Sequence, residues 1–193
     1  MLWSRGLKGM WRLENTALDG SGNANHGTVH GATYTDGQFG RCLSFNGTTD
    51  YVDLPSELIP KTVTLWTNFN LVSHTNYFLG GKPTTFSGIR YDGTTFLVFT
   101  GGQHWSAVAW AKQDALVHFA ALLSATTYDI YINGSFVGTG NLGTGGDDLR
   151  LGRFGSRVDG YFFPGPLDEI NFWNRALTQP DIRRVMMGMS PIS

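Results

Sequence analysis

The loop that begins at Asp19 places a side-chain oxygen at every second residue: Asp19, Ser21, Asn23 and Asn25. This spacing can wrap a hard cation, since Ca²⁺ takes six to eight oxygen ligands at about 2.3–2.6 Å. The loop does not match an EF-hand, because its twelfth position is His30 rather than a bidentate glutamate. Asx-turns and glycine turns explain the same residues without a metal, and the residue types alone favour that simpler interpretation.

The acidic residues do not form the pair that glycoside hydrolysis needs. Two carboxylates must lie about 5–5.5 Å apart for retention, or about 6.5–9.5 Å apart for inversion. Side chains on one face of a strand are spaced by two, and none of the 15 acids is two residues from another. Asp53 and Glu57 are four apart but straddle Pro55, and adjacency predicts that Asp168 and Glu169 point to opposite faces. The pattern disfavours catalysis, although acids from different strands can still converge.

Nucleophilic catalysis has no better support. Cys42, the single cysteine, lies in an alternating segment that predicts a buried structural thiol, and one cysteine cannot form an intrachain disulfide. No G-x-S-x-G elbow is present. Residues 138–143 match G-x-G-x-x-G, but further glycines follow instead of the helix that cradles a phosphate. We therefore expect a protein that is not an enzyme.

The middle of the chain carries aromatic and polar side chains of the kinds that contact sugars. Tyr77 and Trp110 could stack on sugar rings, but our predicted ligand-binding residues are Arg90, Gln103, His104 and Trp105. Trp105 is the strongest candidate, because the preceding glycines place it at the exit of a loop. The alternative for each of these residues is a packing role in the core or in a loop.

Composition excludes several classes of protein. A length of 193 residues, with 41% hydrophobic and 13% aromatic residues, predicts a single domain over residues 1–193 with a sizeable core. The formal net charge is −1 and the basic residues are scattered, so we expect no nucleic-acid partner. The longest apolar run, Phe119 to Leu123, is too short for membrane insertion. The first eight residues lack an apolar signal-peptide core, so we expect no signal peptide in the chain as given.

Period-2 segments divided by Gly, Asn, Asp and Pro clusters predict strands throughout the chain. The predicted strands are Gly9–Leu13, Thr28–Tyr34, Cys42–Phe45, Tyr51–Leu54, Thr62–Leu71, Tyr77–Gly80, Gly88–Tyr91, Thr95–Thr100, Ser106–Trp110, Leu116–Leu123, Tyr128–Ile132, Ser135–Thr139, Leu149–Gly152 and Leu167–Trp173. Their spacing is typical of an all-β sandwich.

Turn and helix signals complete this outline. Asn133-Gly134 and Asp92-Gly93 each predict a two-residue hairpin turn in which both residues have positive φ. The sequence from Thr178 to Asp181 predicts an N-cap with an early proline. After it, an apolar stripe at helical spacing predicts a C-terminal helix that docks through Ile182, Val185, Met186 and Met189.

Several motifs in order resemble those of the laminin-G-like (concanavalin A-like) jelly-roll domains. They include the segments starting at Trp11, at Asp19, at Phe39 and at Val63, then Ile130 to Gly134 and Gly165 to Leu177. The resemblance implies an all-β, two-sheet antiparallel jelly-roll sandwich of about a dozen strands with a short C-terminal helix. It implies binding rather than catalysis, because the E-x-D-x-E strand of the catalytic relatives is absent. The segment from His74 to Asp114 departs from the pattern, and binding loops are expected there.

The same resemblance changes the interpretation of the first loop. Many members of this group hold a structural Ca²⁺ with an acid of the early loop and an acid of a late D-E pair. The matching positions here are Asp19 and Asp168, with Asn23 or Asn25 and main-chain carbonyls completing the shell. We therefore expect a structural calcium site that pins the two ends of the chain together.

Two functions from different classes follow. The first is a binding or adhesion module that recognises glycans or a protein surface outside the cell. The second is a structural protein of a phage particle, a capsid decoration or a tail or fibre component, with capsid or tail proteins as partners on the virion surface. A degenerate glycosidase is a third and weaker alternative. Fold does not decide among them, because one jelly roll serves many functions.

Overall fold

The computed structural model describes residues 5–82, 86–101, 106–142, 148–157 and 160–192. These residues contain fifteen strands and one helix. The elements are β1 (Leu7–Trp11), β2 (Thr28–His30), β3 (Thr33–Asp36), β4 (Arg41–Asn46), β5 (Tyr51–Leu58), β6 (Thr62–Thr67), β7 (Asn76–Gly80), β8 (Gly88–Tyr91), β9 (Thr95–Phe99), β10 (Val108–Ala109), β11 (Val117–Leu123), β12 (Thr127–Ile132), β13 (Ser135–Asn141), β14 (Leu151–Phe154), β15 (Pro164–Trp173) and α1 (Gln179–Met186). The prediction of an all-β fold with a short C-terminal helix is confirmed.

The strands form two antiparallel sheets that face each other. The eight-stranded sheet has the order β13-β12-β11-β6-β15-β4-β3, with β1 added beside β15. The seven-stranded sheet has the order β10-β9-β8-β7-β14-β5-β2. Strand β15 is long enough to pair with β4 through its first half and with β1 through its second half. The first and last strands of the chain are therefore neighbours in one sheet.

Alternation along the strands fills the space between the sheets with apolar side chains. On β6, Val63 and Leu65 lie in this core while Thr64 and Trp66 lie on the opposite face, as the sequence predicted. Phe69, just after β6, packs at the centre of an aromatic cluster. Its ring centroid lies 5.0–6.4 Å from those of Phe78, Tyr91, Phe96, Trp110, Phe119 and Phe163.

The predicted strand from Thr28 to Tyr34 is wrong as a single element. Gly31 has a φ of +80°, a conformation that interrupts the extended backbone. The segment before it, β2, pairs with β5 in the seven-stranded sheet, and the segment after it, β3, pairs with β4 in the other sheet. A break of two residues therefore carries the chain from one layer to the next.

Of the two predicted hairpin turns, one is confirmed and one is wrong in detail. Asn133 and Gly134 have φ values of +51° and +70°, as a type I′ turn between β12 and β13 requires. At the other turn only Gly93 has a positive φ. The Asp92 carboxylate accepts hydrogen bonds from the backbone N–H of Thr94 and of Thr95, so the side chain closes this turn.

Helix α1 begins at the predicted N-cap, but fewer of its predicted docking residues are buried against the sheet. Thr178 is the N-cap, and its side chain and that of Asp181 form a reciprocal capping box. Ile182 and Val185 are buried, whereas Met189 lies beyond the end of the helix and is 38% exposed. The helix packs on a cluster that includes Leu7, Ala120 and Trp173. It therefore covers part of the outer face of the eight-stranded sheet.

No helix among the described residues has the length and apolar character needed to span a bilayer.

Gly9 provides a test of how tightly the core is closed near the N-terminus. A Cβ at this position would lie 2.1 Å from the ring of Trp11, which is fully buried and donates its indole N–H to the carbonyl of Asn25. We expect Gly9→Ala to lower the free energy of unfolding by about 2–3 kcal/mol, because overpacking displaces that ring. Urea denaturation of the purified variant measures this loss.

Gly20→Ala is the matched control for Gly9→Ala. The atom nearest to the added Cβ would be the flexible end of Met10 at 2.9 Å, and the Met10 carbonyl oxygen would lie at an ordinary contact distance of 3.7 Å, so we expect a loss below about 1 kcal/mol. Equal losses for the two variants would show that Trp11 is not held as tightly as its burial indicates.

Candidate functional site

The carboxylate of Asp19 is the centre of the first predicted site. It accepts hydrogen bonds from the backbone N–H groups of Met10, Ser21 and Asn25 and from the hydroxyl of Ser21, at 2.8–2.9 Å. Burial alone raises the pKa of Asp19, but these hydrogen bonds outweigh it and hold the pKa below its usual value. The four acceptor positions of the carboxylate are thus in use.

Asn23 and Asn25 join the same hydrogen-bond network. The Asn25 amide donates to the carbonyl of Lys8 at 2.9 Å, and the Asn23 amide donates to the carbonyl of Leu7 at 3.1 Å. Carboxylate and carbonyl oxygens, the ligands that calcium takes, therefore converge here, and each already accepts a hydrogen bond. A calcium ion at Asp19 would have to replace at least one of these donors.

Asp168, the fourth predicted calcium ligand, has different partners. It is fully buried on β15, and its Oδ2 atom accepts hydrogen bonds from the backbone N–H groups of Gln38 and Phe39. Within the part of the chain that the structure describes, no hydrogen bond links it to the Asp19 loop, and no group of three or more His, Cys, Asp and Glu side chains could hold a metal ion. The structure therefore brings Asp19, Asn23 and Asn25 together but does not join them to Asp168.

The prediction that Asp168 and Glu169 point to opposite faces is wrong. Leu167 and Ile170 both lie in the core, although they are three residues apart, so the alternation is interrupted between them. Glu169 has a φ of +47°, and the pairing of β15 with β6 shifts register at the same place. A β-bulge therefore turns both carboxyls away from the core, which sequence alternation alone does not reveal.

Burial raises the pKa of both carboxyls, and repulsion from Asp168 adds to the rise at Glu169. Burial raises the pKa of Asp168 to about 6. Burial, followed by the nearby charge of Asp168, raises the pKa of Glu169 to about 7. On the same face, the ring of the buried His118 packs against Trp66 at 5.4 Å, and burial lowers the pKa of His118 to about 3. Asp168, Glu169 and His118 form a polar strip. Asp168 and His118 are buried and the Gln38–Phe39 turn covers Asp168, so this strip is an internal feature rather than an exposed site.

The outer face of the seven-stranded sheet presents a second group of residues. Tyr77 on β7 lies directly opposite Arg90 on β8, and its ring is 5.9 Å from that of Phe99 on β9. The Arg90 guanidinium lies 5.0 Å above the Phe99 ring and donates through Nη1 to the Thr75 hydroxyl at 2.7 Å. Three adjacent strands thus place two aromatic rings and a cation side by side.

Arg157 extends this group beyond the strands. Its guanidinium lies over three aromatic rings: those of Tyr77 at 4.9 Å, Phe86 at 5.4 Å and Tyr161 at 5.5 Å. The Phe86 and Tyr161 side chains are 58% and 48% exposed. We call these four residues the Arg157 platform, because the guanidinium lies on the buried ring of Tyr77 and between two exposed rings.

Two glycines allow the platform to form. A Cβ at Gly80 would lie 2.4 Å from the carbonyl oxygen of Ser156, so only glycine lets this loop approach β7. A Cβ at Gly88 would lie 2.7 Å from the ring of Tyr77. The hydrogen bond from the N–H of Tyr77 to the carbonyl of Tyr161 then fixes the loop on the sheet.

At the other end of the same sheet, charged and aromatic side chains pair with one another. Arg153 makes two hydrogen bonds to the carboxylate of Asp53, at 2.8 and 3.1 Å, and lies 4.0 Å above the Tyr51 ring. The ring of His30 stacks on the same Tyr51 ring, with the two centroids 4.4 Å apart. These groups satisfy one another, whereas the Arg157 platform exposes its rings.

The structure describes one of the four predicted ligand-binding residues. Arg90 lies beside the platform, but Gln103, His104 and Trp105 lie outside the described residues. Trp110 is a core residue stacked on Phe96 at 5.5 Å, and Tyr77 is the buried base of the platform. Sequence reasoning missed Phe86, Arg157 and Tyr161, because they lie in loops where no periodicity marks them.

The chain also matches a family of known proteins. A laminin G model, described as the concanavalin A-like lectin/glucanases superfamily, matches residues 46–183, which is more than half of the chain. The chain belongs to this superfamily. The resemblance predicted from sequence motifs and the jelly-roll sandwich are thereby confirmed, and no curated protein matches the chain by sequence.

Solved structures share the fold of this superfamily member at low sequence identity. Domain 4 of AbnA, an extracellular GH43 arabinanase from Geobacillus stearothermophilus in complex with arabinotriose, has a TM-score of 0.73 and 23% identity, over 92% of this chain and 96% of that chain. The ligand binding domain of botulinum neurotoxin serotype D, in complex with N-acetylneuraminic acid, has a TM-score of 0.72 and 13% identity, over 95% of this chain. The present chain spans about half of that toxin domain, 51% of its length.

His118 gives the polar strip a measurable effect on stability. Its pKa is about 3 in the folded chain and about 6.5 when unfolded, so between these values only the unfolded chain binds the proton. Its contribution to the free energy of unfolding is complete above about pH 6.5 and is lost as the pH falls, by up to about 1.4 kcal/mol per pH unit. We expect His118→Gln to lose stability less steeply than the wild type between about pH 6 and pH 4, measured by urea denaturation.

The raised pKa of Asp168 acts in the opposite direction, since the folded chain then keeps a proton that the unfolded chain releases. We therefore compare the pH dependence of the free energy of unfolding between the variants and the wild type, rather than interpret the wild-type profile alone. His74→Gln, at an exposed histidine, is the matched control and should keep the wild-type pH dependence. A wild-type slope in both variants would contradict the assignment to His118.

Proposed function

We propose that this chain is a non-catalytic carbohydrate-recognition domain that binds glycans on the outer face of its seven-stranded sheet. The observation that carries the proposal is the Arg157 platform, in which Phe86 and Tyr161 expose their rings around one guanidinium. Aromatic rings offer flat apolar surfaces to the C–H faces of sugars, while arginine and tyrosine supply hydrogen-bond donors at their rim.

The position of the platform supports the same conclusion. On the other sheet, α1 packs over Ala120 and Trp173, and the Gln38–Phe39 turn covers Asp168. This partial cover favours the seven-stranded sheet as the side that a ligand approaches. Two structural neighbours of the chain hold sugars, arabinotriose in one and N-acetylneuraminic acid in the other. These sugars are the first probes to use.

The absence of catalysis is part of the proposal. Asp53, a carboxylate on this sheet, is held by two hydrogen bonds from Arg153, and Glu57 accepts a hydrogen bond from the backbone of Lys82. These contacts hold both carboxylates within the fold, so neither is offered to a ligand as part of the carboxylate pair that glycoside hydrolysis needs. The assembly role in a phage particle stays a prediction from the sequence.

Removing either exposed ring of the platform should weaken glycan binding. We expect Phe86→Ala and Tyr161→Gly each to reduce affinity for the best-binding oligosaccharide about tenfold, which is about 1.4 kcal/mol. Glycine is the better choice at position 161, because Tyr161 has a φ of +59° and alanine there would keep the backbone strain. Isothermal titration calorimetry measures the affinity after a glycan array has selected the ligand.

Phe136→Ala is the matched control for the platform variants. Phe136 is a phenylalanine of similar exposure, 54%, but it lies on β13 of the other sheet. We expect its removal to leave affinity unchanged. An equal loss in all three variants, or no loss in the platform variants, would refute the location of the binding face.

The structural calcium ion also stays a prediction, and thermal unfolding tests it. If Ca²⁺ binds the Asp19 loop, a concentration a hundred times the Kd adds about 2.7 kcal/mol and raises the Tm by several degrees. Asp19→Asn should abolish the response, and Mg²⁺ should not reproduce it. If the Tm is the same in EDTA and in excess Ca²⁺, the calcium prediction is wrong. The proposed glycan-binding face does not depend on that result.

A further inference from the structure

Arg90 has an incomplete set of hydrogen-bond partners. Its Nη1 atom donates to Thr75, and its side chain packs over Phe99, but its Nε atom is buried without any acceptor. A buried donor without a partner is costly, and a guanidinium presents its donors as a planar edge. The edge formed by Nε and Nη2 has no acceptor among the described residues.

Other arginines of the chain are paired with carboxylates. Arg41 lies 2.9 Å from Asp36, and Arg153 lies 2.8 Å from Asp53, both measured between nitrogen and oxygen. Arg175 lies 3.7 Å from Asp181. Arg90 differs from these three, because its described partners are a hydroxyl and an aromatic ring.

The acidic side chains along this sheet are committed to other groups. Asp53 binds Arg153, and Glu57 accepts from the backbone N–H of Lys82. Asp92, at the turn that follows β8, accepts four hydrogen bonds from Thr94 and Thr95. Among the residues that the structure describes, none of these carboxylates pairs with Arg90, so its positive charge has no described carboxylate partner.

We propose that Arg90 selects glycans that carry a carboxylate, such as uronic or sialic acids, by binding that carboxylate while the Arg157 platform holds the sugar ring. This inference rests on the proposed function and names its ligand class. A carboxylate is planar and matches two donors of a guanidinium at once, which gives the short and strong charge-assisted geometry. Tyr77 lies between Arg90 and the exposed rings, so one short oligosaccharide can reach both.

The test compares each acidic sugar with its neutral methyl ester. The probes are an oligogalacturonate and its methyl ester, sialyllactose and its methyl ester, and a sulfated galactose oligosaccharide, titrated by calorimetry into the whole chain. We expect each free acid to bind at least tenfold more tightly than its neutral counterpart. Arg90→Gln should reduce this ratio to about one, and Arg90→Lys should restore only part of it, because lysine lacks the planar edge.

Arg183→Gln is the matched control, since it removes the same charge from α1 on the opposite side of the sandwich. Its ratio of acid to neutral affinity should stay at the wild-type value, and the Tm of each variant shows that the fold is retained. Equal binding of acid and ester, or equal effects of the Arg90 and Arg183 variants, would overturn the inference and leave the proposed function intact. Tighter binding of the sulfated sugar would overturn the carboxylate assignment, and no binding of any sugar would overturn both proposals.

Discussion

The packing of Phe69 between the two sheets is the constraint on which the binding face depends. Its ring contacts Phe78, Tyr91 and Phe96, which lie on three adjacent strands of the seven-stranded sheet. Because side chains alternate, turning these three rings inward forces their neighbours in sequence outward. Tyr77 and Arg90 are such neighbours, so the core that stabilises the sandwich also aims the residues that we assign to ligand binding.

Strand pairing and backbone hydrogen bonds also explain how the two ends of the described chain are joined. The sequence motifs suggested a cation shared by Asp19 and Asp168, but the structure joins the ends through the pairing of β1 with β15. Asp19 supports this arrangement by accepting the backbone N–H of Met10 on β1. Asp168 instead holds the turn at Gln38 and Phe39. Each carboxylate holds a part of the backbone in its own place, and the shared calcium ion stays a prediction.

How much the sequence predicts depends on whether a residue lies in a regular strand. Arg90 could be found, because it follows Ile89 and precedes Tyr91 in an alternating segment whose two faces are readable. The bulge at Glu169 could not, since its positive φ follows from the pairing of β15 with strands distant in sequence. Phe86, Arg157 and Tyr161 meet only when loops fold onto β7, and local spacing carries no record of that contact.

Tyr161 shows why the platform is better explained by binding than by stability. A non-glycine residue at a φ of +59° costs about 1–2 kcal/mol, and an exposed ring recovers little of that cost through burial. The conformation is imposed from both sides, since the Tyr161 carbonyl accepts from the N–H of Tyr77 and the next carbonyl, that of Phe162, accepts from the Asn76 side chain. Glycine would satisfy the same backbone bonds without strain. A tyrosine at this position, half exposed beside a guanidinium, therefore supports the proposal that its ring contacts a ligand.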